Sequence, residues 1–427
     1  MTSFLTAALI ILSVSASPPQ SDPKDAAKAA TPAAAEGAPV WLRGNTHTHT
    51  LWSDGDAPPE TAIAWYVDHD YDFLVLSDHN LVQTGERWFD VSDDGRLTPA
   101  KVDAVADRFG TDFADLREGE AGLQMRLRRL DELKSMFDRT GEFVLIPGEE
   151  VTSSFRLAQV HINAINVDEL LPPLKGESVQ ATIQDNLDAI AAWGDANDRP
   201  VLAHLNHPNF RKSLSASNLA EMRGERFFEV YNGHRSVENE RIGNRPSMEE
   251  MWDLALIARL HGGAGDGGPL YALATDDAHD HYEVDAVSIP GRGWIMVRSA
   301  THDPDDIVRA MRAGDFYASS GVELTDVRKE TDRLVIDIDA EDGVTYLTEF
   351  IGVPIDGDAP PTTRTLMATD ADPAVYEFKG DELYVRARVT SSRLHPRPYR
   401  KGDFETAWTQ PVRLRTLRSS TSTTPEP

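Results

Sequence analysis

From residue 40 onward, short apolar runs alternate with amphipathic stretches. The runs fall at 72–77, 142–146, 159–167, 200–203, 227–231, 270–274 and 293–297, and the stretches at 60–68, 123–139, 179–193 and 248–261. Runs of this length suit buried strands, and apolar residues at helical spacing suit covering helices. The alternation predicts a parallel sheet, and about seven or eight repeats of the unit predict a closed or nearly closed α/β barrel. Segment 81–122 interrupts the rhythm with a long polar insertion. After a barrel strand it would overhang the active face, which makes it a candidate lid or specificity loop. Past a final helix at 305–313 the pattern changes to period two, at 333–339, 346–351, 382–388 and 411–414. That change predicts a C-terminal antiparallel β domain, sandwich-like, over 322–417.

The ends of the chain have a different character. Residues 1–16 carry an apolar run at 4–11 and a small-residue cleavage site at Val14-Ser15-Ala16, the features of an export signal, although no Lys or Arg stands in the first positions. The mature protein is therefore expected to be secreted or periplasmic. Residues 17–39, rich in Ala and Pro, are expected to act as a linker, and the Ser/Thr/Pro-rich residues 418–427 as a disordered tail. The first run is too short to cross a bilayer, and no later stretch approaches ~18 consecutive apolar residues, so no membrane span is expected.

Net charge of −28 with no basic run disfavours nucleic acid, whose backbone would be repelled. With no cysteine, the chain has neither a disulfide framework nor a thiolate ligand. Any metal must be held by imidazole and carboxylate.

Those ligands are present in a regular order. Six of the thirteen histidines fall with three carboxylates into the series His47, His49, Asp54, His79, Glu150, His161, His207, Asp277 and His279. Residues i and i+2 of a strand share a face, so His47 and His49 can reach one ion, and Asp277 and His279 repeat that spacing after a late run. A single H-x-H is weak evidence; two such pairs, each closing an apolar run, are much stronger. His79, Glu150 and His207 also follow apolar runs, and in a parallel barrel the strand C-termini open on one face. His161 lies inside its run, where a satisfied core histidine is the alternative reading. Glu149 competes with Glu150. Asp78 and Asp276 read as supports of their ligand neighbours. His69, His261, His281, His302 and His395 have no ligand-like context and default to surface positions.

The order of motifs resembles the PHP (polymerase and histidinol phosphatase) superfamily. They read Asn45-Thr-His-Thr-His-Thr50, Asp54, Ser77-Asp-His-Asn80, Pro147-Gly-Glu-Glu150, Val160-His161, Asn206-His-Pro-Asn209 and Thr275-Asp-Asp-Ala-His279, across roughly residues 40–320. The resemblance implies a distorted (β/α)7 TIM-like barrel at 40–321 holding two or three divalent ions, with Zn, Mn and Fe all open. It implies His47, His49, Glu150 and Asp277 at a first ion, Glu150 bridging to a second with His161 and His207, and Asp54, His79 and His279 at a third. Its G-x-E register favours Glu150. The acidic insertion and Asp315-Phe-Tyr-Ala-Ser-Ser-Gly321 look like the secreted CehA/McbA-type branch, some of whose members cleave carbamate or aryl esters.

The implied chemistry is hydrolysis of a small-molecule ester by a metal-bridging hydroxide, with phosphoesters ranked above carbamate or carboxylic esters. Arg156 and the pair His234-Arg235 are candidates around the substrate's oxygens, His234 as general acid; Arg156 reads equally as a solvated loop residue. No obligate protein partner is inferred. Of the other readings, a mono- or binuclear amidohydrolase would not need Asp54, the Asp78-His79 pair or the final D-x-H. A serine hydrolase lacks its G-x-S-x-G elbow. An envelope- or glycan-binding protein with structural metals differs in showing no turnover.

Overall fold

The first strand, Val40–Asn45, pairs in parallel with Phe73–Val75, which pairs in parallel with Val144–Ile146, as strands joined through helices do. Its other edge pairs antiparallel with Trp294–Ser299. In this computed structural model, which describes residues 39–414 apart from 121, 356 and 358, the ladder then runs on without a break. Phe316–Ser319, Phe404–Thr409, Glu382–Leu394, Tyr346–Pro354 and Arg364–Thr369 follow, and Val412–Arg413 completes a ten-stranded sheet. A second sheet of five strands runs in the order Tyr271–Thr275, Phe227–Asn232, Leu202–Leu205, Ala158–Ile165, Gly148–Phe155. The export signal, nearly all of the linker and the tail lie outside the described residues. No helix among the described residues is long and apolar enough to cross a membrane.

The mixed α/β class holds, but no closed barrel is found among the described residues. The cause is a strand that the apolar pattern did not show. Gly148–Phe155 forms an antiparallel hairpin with Ala158–Ile165, joined through Arg156 and Leu157, and Ala158–Ile165 pairs antiparallel with Leu202–Leu205. So short a turn leaves no place for a crossover helix, and the strand direction reverses. The two large sheets meet at isolated bridges, His79↔Glu150 and Thr48↔Ala278. Gly148 sits at this crossing: a Cβ there would fall 2.6 Å from Val75 Cγ1 and 2.7 Å from the Ala164 carbonyl oxygen.

Between the sheets lies an apolar core of Leu42, Phe73, Val75 and Ile146 from one side and Ile165, Leu202, Phe227 and Leu273 from the other. It is closed by Ile307, Val308 and Met311 of the helix Pro304–Ala313. Helices Val179–Ala196 and Met248–Leu260 cover the outer face of the five-stranded sheet. Pro59–Asp68 and Leu130–Phe137 cover the first strands. The stretch expected to be helical over 123–139 opens instead with the strand Gly122–Arg126. That strand belongs to the insertion, which is not a bare loop: Trp88–Asp90, Gly122–Arg126 and Leu116–Gly119 form a small sheet beside the helix Pro99–Phe109. Leu97, Val102, Met125 and Leu127 pack there on Leu51 and Trp52, next to the H-x-H motif.

The C-terminal strands are tied to the rest by buried polar contacts. Leu324–Lys329, Arg333–Ile338 and Ala374–Glu377 form a separate three-stranded sheet. Its Val327, Leu334, Ile336 and Tyr376 pack with Phe350, Val385 and Val389 of the large sheet. Gln410 lies along the edge of Tyr271–Thr275, accepting from the Ala272 N–H at 2.9 Å and donating to its carbonyl at 2.8 Å, as a further strand would. Arg386, 1% exposed, donates to both carboxylate oxygens of Asp253 at 2.9 Å and lies 2.9 Å from Glu249. Replacing Arg386 by Met leaves the largely buried Asp253 without its cation and Glu249 with Arg388 alone, and is expected to cost about 3–5 kcal/mol. A urea midpoint equal to wild type would contradict this reading of the interface.

Candidate metal centre

The H-x-H segment is held from both sides. The Asn45 side chain accepts from the His47 N–H at 2.9 Å, and its Nδ2 donates to Asp276 at 2.7 Å. Asp276 also accepts from the backbone N–H groups of Gly291, Arg292 and Gly293 and from the Tyr66 hydroxyl. Asp78 accepts from the Thr50 N–H and hydroxyl, both at 2.8 Å, and from Ser53 and Gln83. Both carboxylates thus act as buried anchors of the ligand loops and do not face the cluster.

The nine residues of the series converge. Donor atoms within 4.8 Å of one another group as His47, His49 and Glu150; as His47, His207 and Asp277; as His79, Glu150 and His161; and as His49, Asp54, His79 and His279. His47 Nε2 lies 3.5 Å from Glu150 Oε1 and 3.2 Å from Asp277 Oδ1; His49 Nε2 lies 3.5 Å from Glu150 Oε2 and 3.2 Å from Asp277 Oδ1. His207 Nε2 stands 3.4 Å from Glu150 Oε1, and Asp54 lies 3.4 Å from His79 Nε2 and 3.3 Å from His279 Nε2. A tetrahedral ion with ligands at about 2.0–2.1 Å has ligand–ligand edges of about 3.3–3.4 Å. The donor spacings match those edges. Nε2 of His47, His49 and His161 is buried without a hydrogen-bond partner, a condition a native interior rarely leaves unanswered. The donor set fits divalent ions. The grouping differs from the expected one in placing His207 with His47 and Asp277, His79 with Glu150 and His161, and His49 also beside Asp54.

Backbone geometry accounts for two placements that strand alternation would not give. Asn206 and His207 are adjacent, yet Asn206 Nδ2 donates to Glu150 at 2.8 Å while His207 also reaches Glu150. The φ of 27° at His207 turns the chain between them. At Asp277 a φ of 50° sends that side chain into the cluster and leaves Asp276 behind. Such conformations cost of order 1–3 kcal/mol and are held by their surroundings. His161 reaches the site from within its run because its strand is antiparallel, so its N-terminal half faces the centre.

Electrostatics follow from packing carboxylates among imidazoles. Burial alone would raise Glu150, but His79, His47 and His161 hold it well below the carboxylate range. Asp277 is likewise held low against burial, by His47, His49 and His279. Burial would lower His47, yet Asp277, Glu229 and Glu150 hold it well above the usual imidazole range. His79 is pushed up to about 11, against its own burial, by Glu150 and Asp54. His49 is pushed down to about 4 by burial and by the neighbouring His279 and His79. Glu149 points away, accepting from the Leu171 N–H at 2.6 Å, and burial lifts it to about 7.

The three residues proposed around the substrate separate. His234 stays at the site, its ring 5.5 Å from that of His279. Its Nδ1 accepts from the Ser236 N–H at 3.1 Å, which leaves the proton on Nε2. Arg235 does not face the site: it binds Asp285 and the carbonyls of Pro398 and Tyr399, joining two loops. Arg156 sits exposed at the hairpin turn, its guanidinium 5.3 Å from the Phe155 ring. At ~3.3 Å per residue it lies about 13 Å beyond the Thr152↔His161 pair. Two histidines expected at the surface are structural: His281 Nε2 lies 3.1 Å from the His49 carbonyl, and His395, 5% exposed, lies 3.1 Å from that of Arg292.

Other supports escaped the sequence reading. Glu229 lies 2.7 Å from His47 Nδ1 and accepts from the Thr275 hydroxyl, the His207 N–H and Asn232. A lone carboxylate inside the apolar run Phe227-Phe-Glu-Val-Tyr231 was its signal. Arg96 and Lys101, from the insertion, clamp the loop that carries Asp54. Arg96 donates to the carbonyls of Ser53 and Gly55 at 2.8 and 2.9 Å, and Lys101 to the Asp56 carbonyl and carboxylate at 2.8 and 3.0 Å.

No family model matches the chain, and neither does any curated protein. Among solved structures the chain resembles a two-domain protein from Bacteroides vulgatus containing a predicted PHP-like metal-dependent phosphoesterase, with 16% identity over 82% of this chain and 90% of that one and a TM-score of 0.37. It is also similar to a protein from Bifidobacterium adolescentis described as a metal-dependent phosphoesterase (15% identity, 56% and 89% covered, TM-score 0.28). A third is an amidohydrolase from Chromobacterium violaceum with bound sulfate (14% identity, 56% and 88% covered, TM-score 0.24). Scores this low carry no weight by themselves, and the functional reading rests on the side chains.

Two outcomes are expected from the supports. Glu229→Gln should weaken metal binding by about 10–100-fold, read by competition with a chelator. Arg96→Ala with Lys101→Ala should free the Asp54 loop and lower the metal content per chain by up to one ion, as measured by elemental analysis. Unchanged stoichiometry at limiting metal would refute the clamp.

Proposed function

We propose that this chain is a metal-dependent hydrolase of the PHP type that cleaves phosphoesters at a multinuclear centre. The observation that carries the reading is the set of unpartnered, buried imidazole nitrogens aimed at shared carboxylates at ligand-edge spacing. His47, His49, Glu150 and Asp277 would hold one divalent ion. Glu150 would be shared with a second beside His161 and His207, and Asp54, His79 and His279 would hold a third. Ions bound there would supply a hydroxide near neutral pH and neutralise charge on the substrate's oxygens. The ligand set suits Zn, Mn or Fe.

The rest of the chemistry falls to the chain's own residues. Glu229 fixes the tautomer and orientation of His47 through Nδ1. With Nδ1 accepting from the Ser236 N–H, His234 would offer its Nε2 N–H as a hydrogen-bond donor to a substrate oxygen. Burial keeps His234 below the usual imidazole range, which favours the neutral ring. Carbamate and carboxylic esters place a carbonyl carbon where a phosphoester places phosphorus, and the same residues would serve them.

The test is a panel of p-nitrophenyl phosphate, bis-p-nitrophenyl phosphate, an aryl carbamate and an aryl acetate on metal-loaded protein. Phosphoester turnover is expected, with His47→Ala and Asp277→Ala losing it by a factor of at least about a thousand together with bound metal. Wild-type activity in either variant would overturn the centre. Turnover of the carbamate or acetate alone would move the substrate class, and silence on all four with full metal occupancy would favour a binding protein.

A further inference from the structure

Beside the centre a cavity of about 520 Å³ is lined by Asn209, Phe210, Arg211, Lys212, His234 and Glu238 among others, within the ordinary range for small-molecule sites. Both of its walls begin at ligand side chains. The Phe210 ring lies 5.2 Å from His207 and 6.2 Å from His161, and the facing wall starts with His234 beside His279.

Its charge is opposite to that of the protein. The chain carries 70 acidic against 42 basic residues, a field that discourages an anion from approaching. Most arginines near the surface are spent on neighbouring carboxylates, yet among the described residues neither Arg211 nor Lys212 has an acidic partner. Arg211 lies instead 5.2 Å from the Phe210 ring. The one carboxylate of the lining, Glu238, is already paired with Arg400 at 3.3 Å.

The backbone that presents these cations is constrained. Arg211 and Lys212 have φ of 50° and 59°, in the left-handed region, four and five residues after the strained His207. Asn209 pins the turn by donating to the carbonyls of Glu238 and Pro246, and Arg245 holds Asn209 in turn. Two consecutive non-glycine residues in that region mark a turn held against its preference. Here the result is two unpaired cations at the mouth of a cavity that opens from the metal ligands.

We propose that Arg211 and Lys212 form an anion subsite that reads a carboxylate or phosphate on the non-reacting end of the substrate, with Phe210 beneath the body that joins it to the ester. The proposal rests on the hydrolase reading above and deepens it: the substrate is an ester carrying a second negative group. A charge-assisted contact is worth tenfold or more in discrimination.

The test compares 4-tolyl phosphate with 4-(carboxymethyl)phenyl phosphate, whose leaving phenols are similar because a methylene insulates the carboxylate, and the two corresponding acetates. On metal-loaded wild type, kcat/KM is expected to favour the carboxylated member by at least about tenfold; in Arg211→Ala/Lys212→Ala the ratio should fall toward one. Equal values within a pair for wild type would overturn the subsite, as would a preference that survives in the double variant. A uniform loss on both members, with the ratio intact, would assign the cations to the reacting group instead. Should no ester turn over, the hydrolase reading fails, and the subsite is judged by calorimetric titration with terephthalate. Binding that weakens about tenfold in the double variant supports it, and equal affinity or no binding overturns it.

Discussion

The carboxylate of Glu150 has to be neutralised in a place that water does not reach. It is fully buried, and five imidazoles of the cluster approach it: those of His47, His49, His79, His161 and His207. An unpaired buried carboxylate would cost several kcal/mol. The structure meets that demand by drawing residues from both sheets to one point, and the backbone bridge between His79 and Glu150 is one of the two places where the sheets touch. The electrostatic requirement and the packing requirement therefore share one location.

Around that point the polar residues form layers with different tasks. Glu229, Asp78 and Asp276 never face the cluster, yet each collects several hydrogen bonds from the loops that do. Their effect is to fix the strand-end loops that carry the cluster residues. The insertion adds a further layer from outside. Its small core packs on Leu51 and Trp52, and its cations fasten the loop whose Asp54 side chain is the most exposed of the nine. The insertion that the sequence marked as a candidate lid thus also braces the Asp54 loop.

Much of the cluster was legible beforehand because histidines and carboxylates recur in order, most of them just after apolar runs. Residues so placed, such as His79 and His207, needed only the rule that strand ends gather on one face. His161 was harder, since a histidine inside an apolar run reads as core until the strand is known to be reversed. The hairpin that reverses it was missed because Gly148–Phe155 is rich in polar residues, and its burial comes from tertiary position. Arg235 and Arg156 illustrate the opposite failure. A cation near a motif in sequence has a long side chain, and only the fold decides whether that chain turns toward the site or toward a loop. Arg211 and Lys212 carried no periodic or motif signal, and their importance emerges from backbone geometry and from the lack of acidic partners.

The antiparallel pairing of Val40–Asn45 with Trp294–Ser299 joins positions that a ribosome makes far apart in time. With Val40 opposite Ser299, synthesis at ~5–20 residues per second separates the two partners by roughly 13–50 s. For that interval the strand leading into the first two ligands has one edge without its mate, and ligands beyond residue 270 do not yet exist. Assembly of the centre is thus a late event in the life of each new chain, and the nascent polypeptide has to be kept from pairing that edge with a neighbour until its own C-terminal half arrives.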